Sequence, residues 1–113
     1  MIKYLLITAL TLLLFSCGAP KPLYNWQNYD AVVYSYIKVS DEKSTENLLK
    51  TYDKLIKKYG TRKVPAPGVY ADYGYLLIKG GETEKGKTLL QKEIALYPES
   101  ATLINGILKR LEK

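Results

Sequence analysis

Few side chains in this 113-residue sequence could carry out chemistry. It contains no histidine and one cysteine, Cys17, together with eleven acidic residues. Without an imidazole, the chain lacks the usual general base and the commonest metal ligand. One thiol cannot form an internal disulfide or a cysteine-rich zinc site. The chemistry open to the chain is therefore that of one thiol and of its carboxylates.

The carboxylates do not form a catalytic pattern. A glycosidase-type site needs two acids that converge in a cleft. Here the acids are scattered over polar positions, among them Asp30, Asp41, Glu42 and Asp53. Asp72, which lies in a tyrosine-rich segment, is the acid best placed for a role. We expect no enzyme activity, no metal site and no cofactor.

Residues 1–16 have the pattern of a secretory signal peptide. Lys3 precedes a dozen residues dominated by leucine, and Ser16, Cys17 and Gly18 follow as small residues. The apolar run is shorter than the ~20 residues that a membrane-spanning helix needs. A charged start, a short apolar run and small residues are typical of a signal peptide. The less favoured alternatives are a buried helix over residues 4–15 with Cys17 as a core thiol, and a cleaved peptide without a lipid.

The segment Leu14-Phe15-Ser16-Cys17 resembles the lipobox of bacterial lipoproteins. The resemblance implies that residues 1–16 are removed and that Cys17 carries a covalent acyl lipid. Gly18 follows the cysteine where aspartate commonly signals inner-membrane retention, which implies the outer membrane, facing the periplasm. Residues 17–22 then form a short lipidated tether. The net charge falls from +6 to +5 because Lys3 is lost.

Residues 23–113 of the mature chain are predicted to form a single all-α domain of about five short helices. Apolar residues recur at helical spacing over 26–37, 44–59, 67–79, 82–97 and 100–111. We expect Asn25 to cap the first helix and Ser100 the last. Gly60 is expected to end the second helix in a left-handed conformation. The apolar stripes place Ile37, Tyr59 and Leu103 among the inward-facing residues.

Residues 67–100 resemble a tetratricopeptide repeat. Gly74, Gly86 and Pro98 are spaced twelve residues apart, and the period fits a helical repeat in which two small residues let the helices approach closely. The resemblance assigns repeat packing to Gly74, Leu77, Gly86, Leu90 and Pro98. Glu93 replaces the small apolar residue of the pattern, so we expect less tight packing against the next helix. One unit cannot bury its own face, and the flanking helices must cover it.

The same resemblance indicates a surface for a partner protein. The concave face of such repeats comes from the first helix of each hairpin, which assigns a candidate partner-binding surface to Ala71, Tyr75, Ile78 and Lys79. Exposed aromatic residues are favoured in the centres of interfaces. The alternative is that Tyr75 is an incidental surface tyrosine.

A second candidate site lies beside the tether. Tyr24, Trp26 and Tyr29 form a candidate membrane-proximal aromatic cluster, since such residues favour membrane interfaces. In the alternative that we prefer, Trp26 and Tyr29 pack the first helix onto the second.

Nearly the whole chain is similar to a family of small bacterial outer-membrane lipoproteins that contain a domain of unknown function. The similarity rests on the lipobox, the Tyr24-x-Trp26-x-x-Tyr29 opening, the Pro-Ala-Pro-Gly connector and the repeat that ends in Tyr97-Pro-Glu-Ser100. Gln27 stands where members often carry glycine, so we expect a different local turn. Such lipoproteins are often encoded beside a lipoprotein resembling the curli secretion channel, which implies a multi-component outer-membrane system.

These features lead to two functional hypotheses. The first is a non-catalytic, lipid-anchored accessory subunit that binds another envelope protein, such as a curli-secretion-channel-like lipoprotein, through its helical hairpins. The alternative is a free-standing, periplasm-facing binder of a small ligand such as a peptide or glycan fragment; a purely structural lipoprotein ranks third. We expect no nucleic-acid partner, because the lysines are spread along the chain and no binding motif is present.

Overall fold

The computed structural model describes residues 1–14 and 17–113, so Phe15 and Ser16 of the lipobox-like segment lie outside the described residues. The described part is all-α and contains no strand, as predicted. A 3₁₀ turn at Pro98–Ser100 separates the last two helices. The helices are α1 (Ile2–Leu14), α2 (Tyr29–Val39), α3 (Glu42–Leu55), α4 (Val69–Lys79), α5 (Thr83–Leu96) and α6 (Ala101–Leu111).

Helix α1 comprises most of the predicted signal peptide. Residues 1–11 are all exposed. Among the helices of residues 1–14 and 17–113, none has the length and apolar character needed to cross a membrane.

The hairpin of α4 and α5 is built on contact between two glycines. A Cβ atom added at Gly74 would lie 2.7 Å from the carbonyl oxygen of Gly86, closer than such atoms can approach. Leu77 and Leu90 are buried beside this contact, and Pro98 begins the 3₁₀ turn after α5. The predicted close approach of the two helices is therefore present.

Glu93 is a buried acid that binds the start of α4. Its side chain is only 1% exposed, and Oε1 accepts a 2.6 Å hydrogen bond from the backbone N–H of Gly68. Gly68 precedes α4 with a φ of +92°, a conformation that favours glycine. Nearby, the Tyr97 hydroxyl donates a 2.7 Å hydrogen bond to the carbonyl of Pro65. The two bonds fasten the connector between α3 and α4 to the end of α5.

Helix α2 is held mainly by half-buried aromatic residues. It contains no fully buried side chain, and its inner face packs on a core that includes Leu48 and Tyr52 of α3. The rings of Tyr29 and Tyr52 lie 5.8 Å apart, and Tyr52 stacks on Tyr73 of α4 at 5.6 Å. Helix α3 begins at the Asp41 cap, whose carboxylate accepts a 2.7 Å hydrogen bond from the Ser44 N–H.

The segment that follows the tether is bound to the connector. The backbone N–H groups of Thr61 and Arg62 donate 3.1 Å hydrogen bonds to the carbonyls of Pro22 and Leu23. The Thr61 hydroxyl also donates to Pro22 at 2.6 Å. A Cβ at Gly60 would lie 2.7 Å from the Tyr24 Cα. The expected left-handed helix end at Gly60 is wrong, since its φ is not positive; glycine is needed for the close approach of the tether segment.

The predicted cap at Asn25 is wrong, whereas Ser100 is the N-cap residue of α6 as expected but makes no side-chain cap bond. The Asn25 side chain, four residues before α2 begins at Tyr29, accepts a 3.2 Å hydrogen bond from the Gln27 N–H. Gln27 has a φ of +51°, so this turn adopts the left-handed conformation that glycine favours, although the residue is glutamine. The Ser100 hydroxyl donates to the Tyr97 carbonyl at 2.6 Å, and no side-chain cap bond starts α6.

Three residues expected to face inward are exposed. Ile37 and Leu103 are each 72% exposed, and Tyr59 is nearly half exposed. The prediction extends this helix to residue 59, but α3 ends at Leu55, four residues earlier. Tyr59 therefore lies outside the helix. Helical spacing identified the helices correctly, but it did not show which of the apolar residues on one side of a helix are buried by a neighbouring helix.

Candidate functional site

A groove runs between α2 and α4, with α3 as its floor. Its volume is about 280 Å³. One wall consists of residues one or two turns apart on α2, and the other of residues similarly spaced on α4. The α2 wall is Tyr29, Val33, Tyr36 and Ile37, the floor is Leu48 and Tyr52, and the α4 wall is Asp72, Tyr75, Leu76 and Lys79. We call this the α2/α4 groove.

The two charged residues of the groove lie on the α4 wall. Asp72 and Lys79 are seven residues apart, which places them two helical turns, about 10.5 Å, along one face. Asp72 forms no ion pair with any residue of the described chain. It remains accessible to solvent, but the protein atoms around it desolvate the carboxylate and raise its pKa, and repulsion from Glu93 adds to the effect. An unpaired carboxylate thus lies at one end of an apolar groove.

The Tyr52 hydroxyl on the floor of the groove is held in its neutral form. Burial raises the pKa of Tyr52 far above its ordinary value, and the neighbouring Tyr29 hydroxyl adds to the shift. A neutral phenol can donate or accept a hydrogen bond but is not a ready base or nucleophile. The groove therefore offers apolar contact, a few hydrogen-bonding groups and two opposite charges.

The structure divides the predicted partner-binding surface. Tyr75 and Lys79 line the groove, and Tyr75 is 52% exposed. Ala71 is half-buried on the preceding turn and does not line it. Ile78 contacts Gly86 of α5, so its side chain contributes to the hairpin.

Sequence reasoning missed the opposite wall of the groove. Helical spacing places Val33, Tyr36 and Ile37 on one apolar face and predicts that this face packs in the core, whereas the structure places all three in the groove wall. The signal was present, because helical spacing placed them together. Composition does not distinguish a buried stripe from one that borders an open groove.

The predicted aromatic cluster separates into two parts. The rings of Trp26 and Tyr29 lie 5.4 Å apart, and Tyr29 continues to Tyr52, as in the packing alternative. Tyr24 instead lies under the Arg62 guanidinium, 5.9 Å from the ring centre. Tyr24 also adjoins Tyr97; burial and this neighbour raise the pKa of Tyr97 to about 12.

The residues singled out for covalent or metal chemistry do not converge. The Cys17 thiol is exposed. No group of three or more Cys, Asp or Glu side chains suited to a metal ion occurs in the described residues. Four acids of the described residues pair instead with a lysine three or four residues further along the chain, as Glu46 does with Lys50 at 2.6 Å.

Comparison with known proteins yields one match. The model of the family described as a domain of unknown function, DUF4810, matches residues 23–107. The match begins just after the tether and extends into α6. Searches of curated proteins and of solved structures found no match.

Proposed function

This chain belongs to the DUF4810 family, and we propose that it is a non-catalytic accessory subunit of an outer-membrane multi-component system, binding another envelope protein through the α2/α4 groove. The observation that carries the proposal is the exposure of large apolar side chains along both walls. Ile37 on α2 is 72% exposed and Tyr75 on α4 is 52% exposed. Such residues gain most when a partner covers them.

A protein partner accounts for the groove better than a small ligand does. Pockets for small molecules have volumes of roughly 300–1,000 Å³ and enclose most of the ligand. The groove, at about 280 Å³, is at the lower limit. Ile37 and Tyr75 extend its apolar surface outwards, where a small ligand would leave them uncovered.

The charges of the groove define the chemistry of the partner segment. We expect an amphipathic segment with apolar side chains at its centre and a lysine or arginine opposite Asp72. An acidic residue about two turns away would face Lys79. Complementary charges of this kind fix register and orientation more than they add affinity.

The location of the partner follows from the lipobox. We propose that Cys17 carries an acyl lipid that anchors the chain in the outer membrane, facing the periplasm. A single acyl chain holds a protein only weakly, whereas two or more give stable anchoring. A neighbouring lipoprotein, such as one resembling the curli secretion channel, would be held in the same membrane.

The test is crosslinking in the native outer membrane followed by identification of proteins recovered with the full chain. Tyr75→Ala should reduce the recovered companion about tenfold, with little change in the free energy of unfolding. Tyr34→Ala is the matched control, because Tyr34 is 66% exposed on α2 but does not line the groove.

Two results would contradict the proposal. One is recovery of the same companion in equal amount from wild type and Tyr75→Ala. The other is a clean wild-type monomer, which would turn attention to the small-ligand alternative. Unfolding of Tyr75→Ala would instead place Tyr75 in the core.

A further inference from the structure

Two segments of the sequence carry basic residues and no acidic ones. Residues 17–29 and 54–71 contain no aspartate or glutamate; all eleven acids lie elsewhere. The basic residues in these two segments are Lys21, Lys54, Lys57, Lys58, Arg62 and Lys63. Of these, Lys57 pairs with Asp53 at 2.6 Å.

The fold joins these two segments. The hydrogen bonds from Thr61 and Arg62 to the Pro22 and Leu23 carbonyls hold them side by side. A cavity of about 510 Å³ lies at the junction, with Lys21 and Lys63 in its lining together with Asn25 and Thr61. The cavity is thus lined by two cationic side chains and by neutral hydrogen-bonding groups, and its lining contains no acidic residue.

Exposed apolar and aromatic side chains accompany these charges. Leu23, Trp26 and Tyr59 each expose about half of their surface, and Tyr59 also lines the cavity. Basic residues beside tryptophan and tyrosine are typical of protein surfaces at the headgroup level of a membrane.

The tether limits the distance between this surface and the membrane. Because Pro22 is hydrogen-bonded to Thr61, only the chain from Cys17 to Pro22 can extend freely. At about 3.4 Å per residue, this stretch spans at most about 17 Å. A lipid on Cys17 would therefore keep the junction within about two Debye lengths of the bilayer at physiological salt.

We propose that this surface, which we call the tether-proximal face (Lys21, Leu23, Trp26, Tyr59, Arg62 and Lys63), lies on the anionic phospholipid headgroups of the membrane that holds the anchor. The inference rests on the lipid anchor proposed for Cys17. Lys21 and Lys63 contact lipid phosphates, and the half-exposed side chains enter the headgroup region. The contact fixes the orientation of the domain on the membrane.

The experiment uses the lipidated full chain in vesicles and its single tryptophan, Trp26. The vesicles contain phosphatidylcholine alone or about one third phosphatidylglycerol, with bromine near the headgroup end of the acyl chains as a quencher. The test variant is Lys21→Gln/Arg62→Gln/Lys63→Gln. The control, Lys109→Gln/Arg110→Gln/Lys113→Gln, removes the same number of lysines and arginines from exposed positions at the C-terminus.

Wild type and control should show stronger Trp26 quenching in the anionic vesicles, and high salt should reverse the increase. The test variant should lose at least about half of that increase. Equal quenching of the test and control variants would overturn the proposal. So would lipid-independent quenching combined with loss of the crosslinked companion in the test variant, since the face would then bind an acidic protein.

Failure of the anchor is distinguishable from failure of the face. If Cys17 is not the anchor, Cys17→Ser should remain as firmly bound to membranes as wild type. If the anchor is correct but the tether-proximal face does not contact the membrane, Cys17→Ser leaves the membrane. In that case Trp26 of the triple test variant is quenched as strongly as in the control. Circular dichroism of each variant in detergent checks that the helices are retained.

Discussion

The two halves of the domain use different means to hold helices together. In the α4/α5 hairpin, Gly74 and Gly86 bring the backbones into contact, and Leu90 is completely buried. Helix α2 has no glycine and no fully buried side chain, and it packs through partly exposed tyrosines. Bulky rings keep α2 apart from α4, and the α2/α4 groove is the space that remains. The C-terminal half thus supplies the stable framework, and the N-terminal half supplies the open surface.

The largest expected effect contrasts one apolar residue from each half. Leu90→Ala should lower the free energy of unfolding by about 3 kcal/mol, because it leaves a cavity in a packed hairpin. Ile37→Ala on the exposed wall of the groove should change it by no more than about 0.5 kcal/mol. Urea titration of the full chain, followed by circular dichroism, measures both. Similar losses for the two variants would show that the halves are equally packed.

An intermediate effect is expected at the glycine contact itself. Gly74→Ala should cost about 2 kcal/mol, because the new methyl group meets the Gly86 carbonyl and the backbone must move. Gly106→Ala is the control: Gly106 is also helical but has no atom within 4 Å of an added Cβ. That change should stabilise the chain by about 0.5–1 kcal/mol. A stabilising Gly74→Ala would contradict the close approach of α4 and α5.

This contrast explains which parts of the fold were predictable from the sequence. The glycine spacing identified the hairpin, because a close helix contact demands small residues at fixed positions. Gly60 could not be interpreted correctly, since its close neighbour is Tyr24, distant in sequence. The hydrogen bond of Glu93 could not be predicted for the same reason: its partner, the Gly68 N–H, is brought near only by the tertiary fold.

The smallest expected effect concerns Asp72 in the groove. Burial raises its pKa in the folded state, so the folded protein binds this proton more tightly than the unfolded chain does. Stability is therefore lost as the pH rises through the two pKa values. Asp72→Asn should raise stability at neutral pH by less than about 1 kcal/mol, and the gain should disappear below the ordinary Asp pKa of 3.8.

A second readout separates stability from recognition. Asp72→Asn should weaken crosslinking to the partner even though it stabilises the domain, because a basic side chain would lose its counter-ion. Glu99→Gln, an exposed change of equal charge outside the groove, should alter neither property. Unchanged crosslinking in Asp72→Asn would remove the carboxylate from the recognition surface.

The candidate groove was only half predictable. Tyr75 and Lys79 followed from the orientation of the first helix in a tetratricopeptide-like hairpin. The α2 wall did not, because residue type does not distinguish exposed Ile37 from half-buried Val33 in the same wall. That distinction depends on the separation of two helices, which is set by the size of the tyrosines packed on α3.

The hydrogen bonds between Pro22 and Thr61 have a consequence for encounter rates. If a lipid on Cys17 anchors the chain, these bonds shorten the flexible tether and confine the groove to a thin layer above the membrane surface. Two proteins confined to one such layer search for each other in two dimensions, and their effective concentration rises without any additional contact. An interface of modest intrinsic affinity would then suffice to keep the complex assembled.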